Sequence, residues 1–397
     1  MIDSAYAWRR LAISVTISTL GGIGMWALAV AMPAVQAGLD VSRAEISAAY
    51  SMNMLGFFAG GVIVGRLVDR HGIVVASFVS ALGLGAGFGL SSISSSLIPF
   101  AAAQTLVGFS AAATFAPLIA DISHWFEKRR GVAVAIAASG NYLAGAIWPP
   151  IVEAMIHHFD WRTTYASAAV LCVVAMIPLA LTLRRRAPDH EAGHAASVAH
   201  RSLATLGLSP NGLQVLLILA GLSCCIAMSM PQVHIVAYCA DLGYGVARGA
   251  EMLSLMLGFG IVSRVATGWL ADRVGGAMTL LIGSTLQAVA LVFYLVADTL
   301  TSLYLASALF GLFQGGIVPS YAIIVREYFP PREAATRVGL TVSSTIVGMA
   351  VGGWMGGELF DRTGSYQAAF INGIAWNVLN AAIAWWLLSR QMRRAAA

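Results

Sequence analysis

One arginine, Arg264, stands inside a long apolar run of the sequence. A charged side chain within a membrane helix is costly unless it is paired or hydrated, so it is a candidate functional group by default. Its guanidinium would offer a carboxylate a planar pair of N–H donors. The alternative is structural, because Arg264 lies four residues before Gly268, about 6 Å of helix, and its long side chain could extend to interfacial water. The residue type and position therefore indicate an anion site or a snorkelling arginine.

A histidine, His234, lies late in the preceding apolar run. Imidazole has an unperturbed pKa of about 6.5, which suits a group that exchanges protons near neutral pH. The alternative is a neutral histidine that is hydrogen-bonded near the membrane surface. Pro231 lies three residues earlier and can kink the helix. Without such a kink, straight helices would hold His234 and Arg264 roughly 10–15 Å apart along the membrane normal, too far for one small carboxylate to contact both.

Uncharged polar residues recur within the apolar runs, among them Asn141, Tyr142, Gln232 and Gln314. Side chains of this type most often hydrogen-bond across neighbouring membrane helices.

The four cysteines also lie in apolar runs, with neither CxxC spacing nor histidine partners at metal-ligand spacing. They are interpreted as packing residues: Cys172, Cys224, Cys225 and Cys239. No metal and no cofactor is expected. The sequence contains no recognisable nucleophile–base pair, which argues against an enzyme.

The elements that must position these residues are membrane helices. Of the 397 residues, 58% are hydrophobic and 10% are charged, whereas soluble domains are about 25% charged. The mean hydropathy of +0.79 agrees. These values exclude a soluble enzyme and a disordered chain, and long continuous apolar runs disfavour a β-barrel. Runs of about 20 apolar residues predict twelve spans: 11–33, 46–66, 73–91, 97–125, 131–155, 162–183, 213–239, 250–271, 277–297, 301–327, 335–359 and 366–389.

Basic residues are distributed unequally between the two sides of the predicted spans. Of the 23 lysines and arginines, 18 fall on the side of the termini and four on the other side, and Arg264 falls within a span. The positive-inside rule therefore predicts that both termini are cytoplasmic.

A polar stretch at 184–212 separates two sets of six spans. The sequence thus predicts an N-terminal bundle over 1–183, a cytoplasmic linker over 184–212 and a C-terminal bundle over 213–397.

The two halves share a repeated motif. Residues 65–72 and 268–275 both read G-x-L-x-D-R-x-G, at an offset of 203 residues, after the second and eighth spans. Phe126 and Phe329 close the fourth and tenth spans at the same offset. Two parallel six-span repeats are typical of one large class of transporters.

This doubled motif resembles the major facilitator superfamily over the whole chain. The resemblance implies an all-α membrane fold of twelve transmembrane helices in two pseudo-symmetric six-helix bundles, which transports by alternating access. It further implies that each motif aspartate meets the N-terminal end of a helix across the cytoplasmic gate, near Ala334 and near Gly131, while the first glycines permit close helix approach. The gating residues are then Gly65, Asp69, Arg70, Gly72, Gly268, Asp272, Arg273 and Gly275.

Within this superfamily the chain is similar to the monocarboxylate transporters and oxalate–formate antiporters. The shared features are Arg264 four residues before the motif, His234 late in the seventh span, and the segment from Gly140 to Pro150, which contains Asn141 and Tyr142. The resemblance also places Gln232 and Gln314 in spans that line the substrate cavity. Two positions depart from the animal monocarboxylate transporters: Gly260 stands where they have an aspartate, and the first span lacks their lysine. The chain therefore lacks the Asp–Arg pair of that group.

These features together predict a secondary transporter of a small organic anion, a monocarboxylate, with a proton as the co-transported ion. The substrate-binding residues would be Arg264, His234, Gln314, Gln232, Tyr142 and Asn141. An anion exchanger of the oxalate–formate type and an efflux pump for drug-like compounds remain alternatives. The expected location is the bacterial inner membrane, as a monomer, with the lipid bilayer and no nucleic acid as a partner.

Overall fold

The computed structural model describes residues 2–185, 206–297 and 299–395, and this part of the chain is helical. Twelve helical segments are long and apolar enough to cross a membrane, which confirms the twelve predicted spans. Their ends extend beyond the apolar runs because polar and charged residues continue the helices at the membrane surface. Most of the predicted linker, residues 186–205, lies outside the described residues.

The first six spans are built from eight α-helices and a short 3-10 turn. They are α1 (Ala5–Gly21), α2 (Ile23–Leu39), α3 (Arg43–His71), α4 (Ile73–Ile93), α5 (Leu97–Ala111), the turn Ala112–Thr114, α6 (Ala116–Ser123), α7 (Arg130–His158) and α8 (Trp161–Thr182).

Seven helices form the other six spans. They are α9 (Pro210–Asp241), α10 (Val246–Val274), α11 (Gly276–Val296), α12 (Leu300–Gln314), α13 (Ile317–Tyr328), α14 (Pro331–Thr363) and α15 (Gln367–Ala395).

Three spans are interrupted. The first span breaks at Gly22, between α1 and α2, where a side chain would collide with Ala144 of α7. The fourth breaks at 112–115 and the tenth at 315–316, so these two breaks are again about 203 residues apart. The breaks extend the internal repeat from the sequence motif to the backbone.

The motif's last glycine has a backbone reason in both copies. Gly72 ends α3 and Gly275 ends α10, each with φ of +83°. Residues that carry a side chain rarely adopt this backbone conformation, whereas glycine reaches it without a steric penalty. Each glycine therefore makes the tight turn into the next span.

Side-chain caps fix other helix ends. Ser42 and Glu45 form a capping box at the start of α3. Asp160 accepts a hydrogen bond of 2.6 Å from the Thr163 backbone at the start of α8, and this bond lowers the pKa of the Asp160 carboxyl.

The chain forms two compact units: Met1–Glu191 with Val233–Gly258, and Ala192–Gln232 with Phe259–Ala397. The predicted division at 184–212 follows the order of the chain, whereas this division follows packing.

Specific contacts hold residues 233–258 in the first unit. Asp241 at the end of α9 binds Arg43 at the start of α3, with N–O distances of 3.2 and 3.3 Å. The Ser254 hydroxyl of α10 donates to the Ala146 carbonyl of α7, and Gly145 leaves room for Leu257.

Candidate functional site

Arg264 lies in the body of α10, ten residues before its last residue, which is about 15 Å along the axis. Its side chain is half-buried. Four residues later comes Gly268, so this single helix carries both the candidate anion-binding group and the second copy of the gating motif.

The break between α12 and α13 packs against the same stretch of α10. A side chain at Gly315 would come within 2.7 Å of the Ser263 Cβ atom, and one at Gly316 would overlap Thr267. The Thr267 hydroxyl in turn donates to the Ser263 carbonyl at 2.6 Å. Close approach of backbones is the usual role of small residues in membrane helix packing. The interruption in the tenth span therefore lies beside the turn of α10 that bears Arg264.

Gln314, the last residue of α12, accepts a hydrogen bond of 2.8 Å from the Gln232 side chain of α9. Both side chains are buried. This bond links two helices of the second unit, as expected for the packing role that the sequence left open. The bond also holds the side-chain amides of Gln232 and Gln314 beside the break between α12 and α13.

The second unit thus contains Arg264, Gln232 and Gln314, and the first unit contains the other three candidates. His234 is fully buried on α9. On α7, Tyr142 is buried and the Asn141 carbonyl accepts a hydrogen bond of 3.3 Å from the Trp26 indole of α2. The roles of these six residues in binding stay predictions.

The gating motifs lie at the ends of α3 and α10. Arg70, Asp272 and Arg273 are exposed, and the Arg273 guanidinium lies 3.7 Å from the centre of the Trp269 ring. The side chain of Asp69 lies outside the described residues. The expected contacts of the two aspartates with helix N-termini stay predictions.

The first glycine of each motif does not serve close packing inside its own unit. A Cβ atom at Gly65 or at Gly268 would meet open space within the described part of that unit.

The structure contains a buried ion pair between the first and fourth spans. Arg10 of α1 binds both carboxylate oxygens of Asp121 on α6, at 2.7 and 2.8 Å. It also donates to the Leu183 carbonyl at 3.0 Å and lies over the Trp125 ring. The apolar run of the first span begins only after Arg10, so the sequence counted this arginine with the basic residues on the side of the termini. The tryptophan and aspartate at the end of the fourth span were the available signal for a buried partner.

Glu327, at the end of the tenth span, accepts a hydrogen bond of 2.8 Å from the Gly276 backbone N–H at the N-terminus of α11. A carboxylate at that end of a helix also interacts favourably with the helix dipole.

Within the described residues, His, Cys, Asp and Glu side chains form no cluster able to hold a metal ion. The four cysteines are buried thiols.

Comparison with known proteins decides the family. The family model described as Major Facilitator Superfamily matches residues 15–297 and 253–396. The chain belongs to this superfamily. It is therefore a membrane transporter of the major facilitator type, as the doubled motif predicted.

Curated relatives of this major facilitator protein include monocarboxylate transporters. Monocarboxylate transporter 13 of Bos taurus is 27% identical over 330 residues, covering 81% of this chain and 74% of the relative. The MFS-type transporter pynF of Aspergillus niger is 26% identical over 339 residues, covering 83% of this chain and 76% of the relative. The predicted resemblance to monocarboxylate transporters is confirmed.

Solved structures agree on the fold. The nucleoside transporter NupG matches with a TM-score of 0.75 at 13% identity, covering 96% of this chain and 99% of that one. A bacterial homologue of the human lysosomal transporter Spinster, in an inward-facing and occupied conformation, matches with a TM-score of 0.76 at 13% identity and 98% coverage of both chains. At this identity, the similarity establishes the major facilitator fold alone.

Proposed function

We propose that this protein transports a small monocarboxylate by alternating access, together with a proton. The observation that carries the proposal is Arg264, a half-buried arginine in the body of a membrane span, four residues before the motif. A guanidinium can hold a carboxylate through two parallel N–H donors, an arrangement that lysine cannot reproduce. The similarity to monocarboxylate transporters supports the same class of substrate.

The membrane potential supports proton coupling. An inside-negative potential opposes entry of a net anion by about 2.3 kcal/mol per 100 mV, whereas an anion and a proton together cross without net charge. His234 is the proposed proton carrier, because it is a fully buried histidine within a span and imidazole as a group exchanges protons near neutral pH. Exchange of one anion for another meets the same electrical requirement without a proton.

The proposed orientation has both termini in the cytoplasm, with the protein as a monomer in the bacterial inner membrane. The unequal distribution of arginines between the two sides of the spans supports the orientation. Reporter fusions at each terminus test it, and activity only on the outer side would contradict it.

Uptake into proteoliposomes tests the function. Purified protein would be tested with labelled lactate, pyruvate, formate and oxalate and with a cationic drug-like dye, each with and without an inward proton gradient. We expect saturable uptake of at least one monocarboxylate, accelerated by the gradient. Accumulation of the dye alone would contradict the proposal. Uptake of anions only in exchange for internal anion would contradict the proton-coupled mechanism.

The proton role of His234 has a separate test. His234→Gln should lose gradient-driven uptake and keep exchange of labelled for unlabelled substrate, because exchange at constant protonation needs no proton release. A variant that retains both activities would exclude His234 as the carrier.

A further inference from the structure

A cavity of about 170 Å³ lies inside the first unit, between α2, α7 and α8. Its walls include Ile23 and Ala27 of α2, Trp148 and Val152 of α7, and Ala168 of α8. An engineered apolar cavity of about 150 Å³ in another protein holds benzene. The cavity in the first unit therefore has room for a molecule of about that size with one small substituent.

Tyr165 of α8 also lines this cavity, and its side chain is 0% exposed. The ring packs against Phe88 and Phe100, with centroids 5.4 and 6.1 Å away. Among the described residues, the Tyr165 hydroxyl has no hydrogen-bond partner. A buried polar group without a partner is destabilising, so an acceptor that reaches this hydroxyl would be bound favourably.

Two other polar groups of the lining are already engaged. The Trp148 indole N–H donates to the Thr19 carbonyl of α1 at 2.6 Å, and the Thr164 hydroxyl donates to the Asp160 carbonyl at 2.7 Å. Tyr165 is thus a fully buried donor of the lining with an unmet bond, whereas Ser167 adds a hydroxyl on a half-buried residue.

The remaining walls select a neutral, largely apolar occupant. No charged residue lines the cavity within the described part of the chain, and an ion transferred there would lose its hydration without gaining a counter-charge. This excludes a carboxylate and separates the cavity from the proposed substrate site at Arg264. Leu171, which also lines the cavity, is 38% exposed on a membrane span, so an occupant can enter from the lipid.

We propose that this cavity binds a small neutral amphiphile, an alcohol with an apolar body of about six to eight non-hydrogen atoms, whose oxygen accepts a hydrogen bond from Tyr165. The apolar body lies between Ala27, Val152 and Ala168.

Photolabelling in proteoliposomes tests the site. The probe is a hexanol that carries an alkyl diazirine, and benzyl alcohol is the competitor. We expect saturable labelling of the α2, α7 and α8 residues that line the cavity, which excess benzyl alcohol removes. Labelling that is not saturable and spreads over the lipid-facing residues of all helices would overturn the proposal. This measurement on the unmodified protein does not depend on the folding of any variant.

Matched variants identify the groups responsible. Ala168→Leu fills the cavity and should weaken labelling about tenfold or more, while Ala166→Leu makes the same change at an exposed position of α8 and should leave labelling unchanged. Tyr165→Phe removes one hydrogen bond and should weaken binding roughly three- to tenfold. Unchanged labelling in folded Ala168→Leu would overturn the site, and unchanged affinity in Tyr165→Phe would overturn the assigned donor.

Discussion

Breaking the Arg10–Asp121 pair should destabilise the first unit more than any ordinary surface substitution. Arg10 is 1% exposed and Asp121 is 11% exposed, so water cannot replace either partner. The two groups share two hydrogen bonds, and Arg10 makes two more to the Leu183 and Arg185 carbonyls. The pair therefore ties α1 to α6 and to the end of α8.

The size of the effect follows from the burial. At an effective dielectric constant of about 20, opposite charges about 4 Å apart attract by about 4 kcal/mol. Arg10→Met leaves a buried carboxylate without its cation, and Asp121→Leu leaves a buried guanidinium without its anion. Each should lower the free energy of unfolding by about 3–5 kcal/mol. The double variant removes both charges and should cost less than either single variant, because no buried charge is left without a counter-ion.

Thermal unfolding of the purified protein in detergent measures this double-mutant cycle. Each single variant should unfold roughly 6 °C or more below the unmodified protein, and the double variant should recover most of the loss. Arg9→Met is the matched control, because Arg9 is the neighbouring arginine and is exposed, and its transition should shift little. Additive losses in the double variant would refute a coupled buried ion pair.

Three further predictions concern the gate, a turn and a second ion pair. Asp69→Asn should slow transport with little change in substrate affinity, because the motif is at the end of α3; loss of equilibrium binding with a normal transport rate would contradict this. Gly275→Ala should lower the free energy of unfolding by about 1–3 kcal/mol, because φ is +83° at this position. As a control, Gly268→Ala places its methyl group in open space and should change the free energy of unfolding by no more than about 0.5 kcal/mol. Equal melting temperatures for the two variants would contradict the turn assignment. Asp241→Asn should lower the free energy of unfolding by about 2 kcal/mol and Arg43→Met by about 1 kcal/mol. The first change leaves a buried cation without its counter-ion, since the Arg43 side chain is 7% exposed, whereas the second leaves a carboxylate that is 34% exposed to solvent. The reverse order of melting temperatures would contradict this.

The architecture was predictable because membrane burial leaves a strong pattern. Twelve apolar runs and the doubled motif were sufficient for the spans and the repeat, since every span must satisfy its backbone hydrogen bonds internally. The breaks at 112–115 and 315–316 were not predicted. Glycine and alanine are common inside unbroken membrane helices, so composition carries no signal for an interruption.

The candidate site was predictable only in part. Arg264 stood out because a charge in an apolar run is rare, whereas Gln232 and Gln314 belonged to a larger set of polar residues with no visible partner in sequence. Their mutual hydrogen bond depends on the packing of α9 against α12, which no local pattern encodes. Likewise, the burial of Arg10 was not predicted, because its partner Asp121 is 111 residues away in sequence.

Equilibrium binding of a labelled monocarboxylate tests whether Arg264 holds the substrate carboxylate. Binding would be measured for the unmodified protein, Arg264→Lys and Arg264→Ala, with Arg248→Lys on the same helix as the control and folding checked by gel filtration. We expect both Arg264 variants to lose at least about tenfold in affinity, because alanine removes the charge and lysine keeps the charge but loses the planar pair of donors. Arg248→Lys should bind normally. Normal binding by Arg264→Lys would contradict the role of Arg264 as the carboxylate's partner, since a snorkelling arginine is replaced freely by lysine.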